Sequence, residues 1–164
     1  MANIIITLPR KLWWAIEHGY KTYECRKSCP LIKYNQSKVY VVEKGTTKVI
    51  GCFTIDSIVA SNDFAMIWQK YGKKLFIDRD WFLKYVTGYK RLIHLWKIGA
   101  VYKFEQTIDL EEVFGVKHNP QSFIYTDCEP YIHLNLVRVL DVERNRLVSP
   151  STWLKRKNED DLPF

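Results

Sequence analysis

Nowhere does this chain run to the ~20 consecutive apolar residues that a bilayer-crossing helix requires, so no membrane-spanning helix and no membrane partner is expected. The start, Met1 to Leu8, lacks a basic n-region and a sustained apolar core. Neither a signal peptide nor an anchor is expected, and the protein is placed in the cytoplasm. Cysteine is scarce: Cys25, Cys29, Cys52 and Cys128 make no CxxC pair and have no histidine at zinc-site spacing, so they read as reduced and mostly buried thiols. The closest pair, Cys25 and Cys29, is assigned to packing rather than to metal. The four histidines build neither a triad nor a metal box. His18 falls at the end of a predicted helix, where an imidazole suits the negative dipole end, and His94, His118 and His133 stand apart. No metal and no cofactor is expected. Internal repeats and low-complexity linkers are also missing, so one domain is expected over 1–148, followed by a loose C-terminal tail at 149–164.

What the chain does have is positive charge and aromatic surface. Lysine and arginine number 25 against 18 acidic residues, a formal charge of +7, which favours a polyanionic partner such as RNA or a nucleotide. Aromatics make up 15% of the chain, enough for stacking surfaces, although most aromatic rings in a folded domain fill its core. At 47% hydrophobic and 26% charged, the composition is that of a globular domain with a substantial core.

The stretch Gly19 to Lys27 concentrates the chemistry. Pro9 opens a helix whose inward stripe is Leu12, Ile16 and either Ala15 or Trp13, and Gly19 stops it. Adjacent Trp13 and Trp14 point in different directions, which suggests one core and one rim tryptophan. In the strand that follows, Thr22, Glu24 and Arg26 share one face and Tyr23, Cys25 and Lys27 the other. Lys21, at the turn, has a stem long enough to bring its ammonium over Glu24 and Arg26. The cluster reads either as an ion pair sealing one end of the fold or as a polar cradle for a base edge or phosphate. Arg26 would point its guanidinium fork into that cleft.

Ile4-Ile5-Ile6 predicts a central strand over 3–7. Lys38 to Glu43 and Lys48 to Ile58 predict a hairpin through Gly45, with Gly51 marking a bend or close backbone approach. Between residues 61 and 98, Ser61 or Asn62 is expected to cap one helix and Asp80 a second, with Gly72-Lys73-Lys74 separating them. Lys70, Lys73, Lys74, Lys84, Lys90 and Arg91 crowd this region among Trp81, Tyr85, Tyr89 and Trp96. They form either a solvated helical face or a lobe tracking a nucleic-acid backbone. A strand over 100–108, a helical turn at 110–115 and a closing strand over 131–140 complete the reading.

Gly19-x-Lys21-x-x-Glu24-x-Arg26 resembles the GxKxxExR signature of ASCH domains, a branch of the PUA-like superfamily. Val49-Ile50-Gly51 ahead of an alternating strand, and Asn119-Pro120-Gln121-Ser122-Phe123-Ile124-Tyr125, resemble two further family segments in the same order, over roughly residues 3 to 140. The resemblance implies an α+β fold: a PUA-like mixed β-barrel flanked by helices, with residues 61–98 as a helical basic insertion. It implies recognition of RNA or a modified nucleotide, with Lys21, Thr22, Glu24, Arg26, Gln121 and Tyr125 as binding residues. Gln121 and Tyr125 could equally serve to close the barrel. Some ASCH-like proteins are amidohydrolases acting on N4-acetylcytidine through a lysine, a threonine and a glutamate, and a bacterial member behaves as a ribonuclease. Lys21 matches that lysine, but Glu24 stands where the threonine belongs and Thr22 is displaced by two positions. Lys21 and Glu24 would be the catalytic pair of an enzyme. A protein interaction adaptor using the basic lobe is the further alternative.

Overall fold

The structure, a computed structural model, describes residues 2–130 and, through the backbone, 136–141. Strand β1 (Asn3–Leu8) lies inside the sheet, parallel to β3 (Lys38–Glu43) and antiparallel to β6 (Phe123–Thr126). Its isoleucine run is buried on both faces: Ile4, Ile6 and Leu8 enter the main core, while Ile5 packs with Tyr40 and Val42 on the other side. That two-sided burial is why the strand reads as a continuous apolar run.

Helix α1 (Arg10–Glu17) follows, with Pro9 at its N-cap and Gly19 at φ +79° just past its end. Trp13 is the core tryptophan and Trp14 the rim one, stacked on His18 at 4.4 Å. After β2 (Tyr23–Arg26), β3 and β4 (Lys48–Ser61) form the expected hairpin, with Gly45 at φ +80°. A Cβ on Gly51 would fall 2.4 Å from the Tyr102 carbonyl oxygen and 2.6 Å from the Trp13 ring, so the predicted close approach is real.

Among the described residues the sheet runs β2-β5-β4-β3-β1-β6, with β7 (Leu136–Asp141) also on β5 (Ile93–Asp109). The first residues of β5 pair with β2 and a later stretch with β7, while β4 runs along the other edge through three register shifts. Such irregularities bend strands, and this sheet curls into a half-barrel. Side chains draw its two ends together: Ser28 Oγ lies 2.8 Å from Ser122 Oγ, just ahead of β6.

Helices α2 (Phe64–Leu75) and α3 (Arg79–Val86) build a second core with Ile67, Leu75, Phe82 and Val86 against Ile93 and Leu95, and α4 (Leu110–Phe114) covers the outer face of the sheet. Several expectations need correction here. Asp63, not Ser61 or Asn62, caps α2 by accepting from the Met66 N–H, because β4 extends through Ser61. Asp78, not Asp80, occupies the N-cap position of α3. Gly72 lies buried inside α2 against the Trp68 ring, and the break falls instead at Phe76, whose φ is +54°. The strand expected from Ala100 begins at Ile93, so the helical part of the insertion ends at Val86. Of the closing strand, 136–141 is present, whereas 131–135 and the tail 149–164 lie outside the described residues. Among the described residues, no helix is long and apolar enough to cross a membrane.

Candidate functional site

The signature is assembled by a helix stop and a helix end. Past α1, the N–H groups of Tyr20 and Lys21 both donate to the Ala15 carbonyl, at 2.8 and 3.0 Å, which turns the chain towards the C-terminus of α2. The last carbonyls of a helix lack partners of their own and carry partial negative charge. Two are satisfied here by the signature: Thr22 N–H donates to Lys74 O at 2.9 Å and Lys21 Nζ to Leu75 O at 2.7 Å.

The same Lys21 ammonium lies 3.1 Å from Glu24 Oε2, and Arg26 Nε donates to Glu24 Oε1 at 2.8 Å. Lys21 and Glu24 are 2% and 5% exposed, so these charges are held away from water and depend on one another. Burial pushes the Glu24 pKa upward, but the charges and hydrogen bonds of Lys21 and Arg26 outweigh it and hold the carboxyl below its usual range. The adjacent Cys25 goes the other way: burial, then the Glu24 charge, push its thiol up to about 12.

Arg26 differs from expectation. Its fork is taken up by the protein, with Nη1 donating to Ser122 O at 3.2 Å and Nη2 to Thr7 O at 3.4 Å, and its guanidinium lies 5.8 Å from the Trp96 ring centre. It joins β2 at one end of the curled sheet to β1 and the approach to β6 at the other.

Above this cluster opens a cavity of about 970 Å³. Lys21, Glu24 and Arg26 line it from within, Phe76, Trp81 and Tyr85 supply an aromatic wall, and Pro120 and Gln121 stand among the remaining lining residues. Its wall carries five cationic side chains, Lys11, Lys21, Arg26, Lys44 and Lys73, against the carboxylates of Glu24 and Asp78.

Not every predicted residue arrives there. Thr22 engages through its backbone, giving its N–H to Lys74 O and taking one from Ile98 N–H at 2.9 Å, and its side chain is not part of the wall. Tyr125 is also off the wall; its hydroxyl accepts from the Leu31 N–H at 2.8 Å and its ring sits edge-on to Phe123. Of the basic lobe, Lys70, Lys73, Lys74, Lys84, Lys90 and Arg91 are all exposed, but Lys73 alone lines the cavity. Lys70 and Lys74 lie over the Tyr71 ring instead. Sequence reasoning missed Lys11, Lys44 and Phe76. Lys44 arrives because its N–H donates to Leu8 O, a contact that no local pattern announces.

No family model and no curated protein matches the chain. Solved structures do match. The chain is similar to the ASCH protein of Zymomonas mobilis, with a TM-score of 0.64 and 22% identity over 75% of this chain and 86% of that one. A serine-to-alanine and a tyrosine-to-phenylalanine variant of that protein match equally, with a TM-score of 0.64 and 22% identity, covering 87% and 88% of their lengths. The chain has the ASCH fold.

Within this ASCH fold the signature does two jobs. It closes α2, and it presents a compact ion cluster with a net charge of one positive to a cavity open at the surface. Lys21 has three N–H donors, two of them engaged by Leu75 O and Glu24, and Glu24 retains lone pairs beyond the two contacts it makes. The cluster therefore forms a charged floor of the cavity, with the Lys21 and Glu24 side chains almost fully covered. Among the described residues no group of histidines, cysteines and carboxylates is placed to hold a metal.

Proposed function

We propose that the protein recognises RNA or a modified nucleotide, seating one base in the cavity beside Lys21 and Glu24 while the lysines of the wall face its phosphates. One observation carries this reading: a single cavity joins a buried, mutually satisfied ion cluster to an aromatic wall and an excess of cations. A nucleobase edge offers donors and acceptors to such a cluster, its π-face suits an aromatic wall, and its backbone is anionic. Gln121, which also lines the cavity, supplies an amide for the same edge. Arg26 holds the cluster in place, and Thr22 and Tyr125 serve the fold.

The test is fluorescence anisotropy of labelled single-stranded RNA, measured across a salt series for the wild type and for Lys44→Glu and Lys73→Glu. Both lysines are exposed, so folding is unaffected. Each reversal is expected to weaken binding similarly for all sequences and to lower the log-log salt slope by roughly 0.7 for each phosphate that is no longer neutralised. Wild-type affinity and slope retained in both variants, or no RNA or nucleotide binding by the wild type, would sink the reading.

A further inference from the structure

We propose that Trp81 is a stacking shelf at the mouth of the cavity that takes a second base, so that the site reads a single-stranded stretch of nucleic acid rather than a lone nucleotide. This rests on the cavity being a nucleotide site, as proposed above, and specifies the length of its ligand.

Helix α3 turns its inner face to the second core. Phe82 and Val86 are buried there and fasten the helix to the second core. Trp81 belongs to none of the three core clusters, is 50% exposed, and lines the cavity. One turn further along the same helix face lies Tyr85, and the two rings stack at 4.9 Å with an interplanar angle of 16°. That stack covers one face of the indole. Half of the residue's surface remains open beside the cavity, and the shelf proposed here is the indole face opposite that stack.

The shelf is also rigidly supported. The Tyr85 hydroxyl accepts the Lys27 N–H at 3.0 Å, and the Lys27 ammonium lies 4.5 Å from the Tyr85 ring centre and 4.7 Å from that of Tyr89. An indole held flat in advance loses little freedom when a base lands on it. Lys73 lines the same cavity and exposed Lys84 follows three residues along α3, set against Asp78 and Asp80 at the start of that helix. A neutral aromatic plate on a cavity wall with an excess of cations suits a base and its phosphates and is tolerant of sequence. A base inside a duplex cannot reach the shelf without leaving its stack, so the occupant is single-stranded.

The experiment is calorimetric titration of wild type, Trp81→Ala and Trp81→Phe with the four nucleoside 5′-monophosphates, with mixed-sequence single-stranded RNAs of two, three and six nucleotides, and with an RNA duplex. The wild type is expected to gain roughly 5- to 150-fold in affinity on passing from monophosphate to oligonucleotide, the range that one base–aromatic stack supplies. Trp81→Ala should shrink the ratio of oligonucleotide to monophosphate affinity towards one, Trp81→Phe should restore much of it, and neither should lower the melting temperature, because the residue is outside the core. A wild type that binds monophosphates and oligonucleotides equally, a step that survives in Trp81→Ala, or a preference for duplex overturns the shelf and leaves the cavity reading standing. A wild type that binds none of the probes overturns both.

Discussion

Replacing Glu24 with glutamine tests the cluster at its centre. The substitution preserves the shape of the side chain and removes the one anion between two cations, of which Lys21 has a side chain only 1% exposed and Arg26 one that is 13% exposed. Removing one member of a buried ion pair costs about 3–5 kcal/mol, because the charge left behind cannot return to water. In a chain of this length each kcal/mol lowers the melting temperature by about 2–4 °C, so Glu24→Gln is expected to lose about 6–20 °C by scanning calorimetry at neutral pH. Adding Lys21→Met removes the stranded ammonium and returns the cluster to its original net charge. The double variant should then lose clearly less than the two single losses added together. The pH dependence supplies a second measurement. The Glu24 carboxyl titrates below the ordinary glutamate value of 4.5 in the folded protein, so its contribution is fully present above that value and is lost as pH falls through the lower folded one. Glutamine does not titrate. The gap between wild type and variant should therefore be widest near neutrality and narrow in acid below about pH 4.5. A shift of under about 2 °C at neutral pH, or a gap indifferent to acid, would refute the claim that this cluster is a desolvated, interdependent unit.

Further outcomes follow from the same geometry. Arg26→Lys is expected to lower the melting temperature, since an ammonium cannot reach Glu24, Ser122 O and Thr7 O at once as the guanidinium does; an unchanged melting temperature combined with abolished ligand binding would return Arg26 to the role of a ligand reader. Gly51→Ala forces a methyl to 2.4 Å from the backbone oxygen of Tyr102 and should destabilise by about 1–3 kcal/mol or more, read as a lowered urea midpoint with an unchanged slope. A midpoint within error of the wild type would mean that the sheet shifts there at no cost.

Much of this is legible locally. The stop at Gly19, the polar face of Glu24 and Arg26, the reach of Lys21, the hairpin at Gly45 and the tight approach at Gly51 all follow from spacing and residue type, because each is settled within a turn or a strand. What escapes depends on distant partners. Lys21 caps a helix 54 residues away, and Arg26 gives its fork to a carbonyl 96 residues away, so a side chain that reads as available for a ligand is largely consumed by the fold. Gly72 reads as a breaker because its propensity is poor; the Trp68 ring packed over it explains why the helix continues instead. Tyr125 groups with Gln121 by proximity in the chain, yet only Gln121 lines the cavity.

The titrations around the cavity bear on the recognition role proposed above. General acid–base catalysis works best with a group whose pKa lies near the operating pH. Three cavity-lining groups move away from that range, each for a physical reason. Glu24 is pulled upward by burial but carried below its usual range by Lys21 and Arg26, so it remains an anion with a cation at each oxygen and has no proton to give. Burial first, then the neighbouring Glu24 charge, put the Cys25 thiol at about 12, which keeps it from serving as a thiolate nucleophile. Burial likewise takes the Tyr85 phenol to about 12, and its oxygen is already engaged by the Lys27 N–H. Lys21, the residue that matches the lysine of the hydrolases, meanwhile commits two donors to Leu75 O and Glu24. At neutral pH the wall therefore presents Glu24 as an anion held by two cations, and the Cys25 thiol and the Tyr85 phenol as neutral groups, which fits the recognition role proposed above. The cost of burying those charges is offset within the fold, where the same contacts close the end of α2.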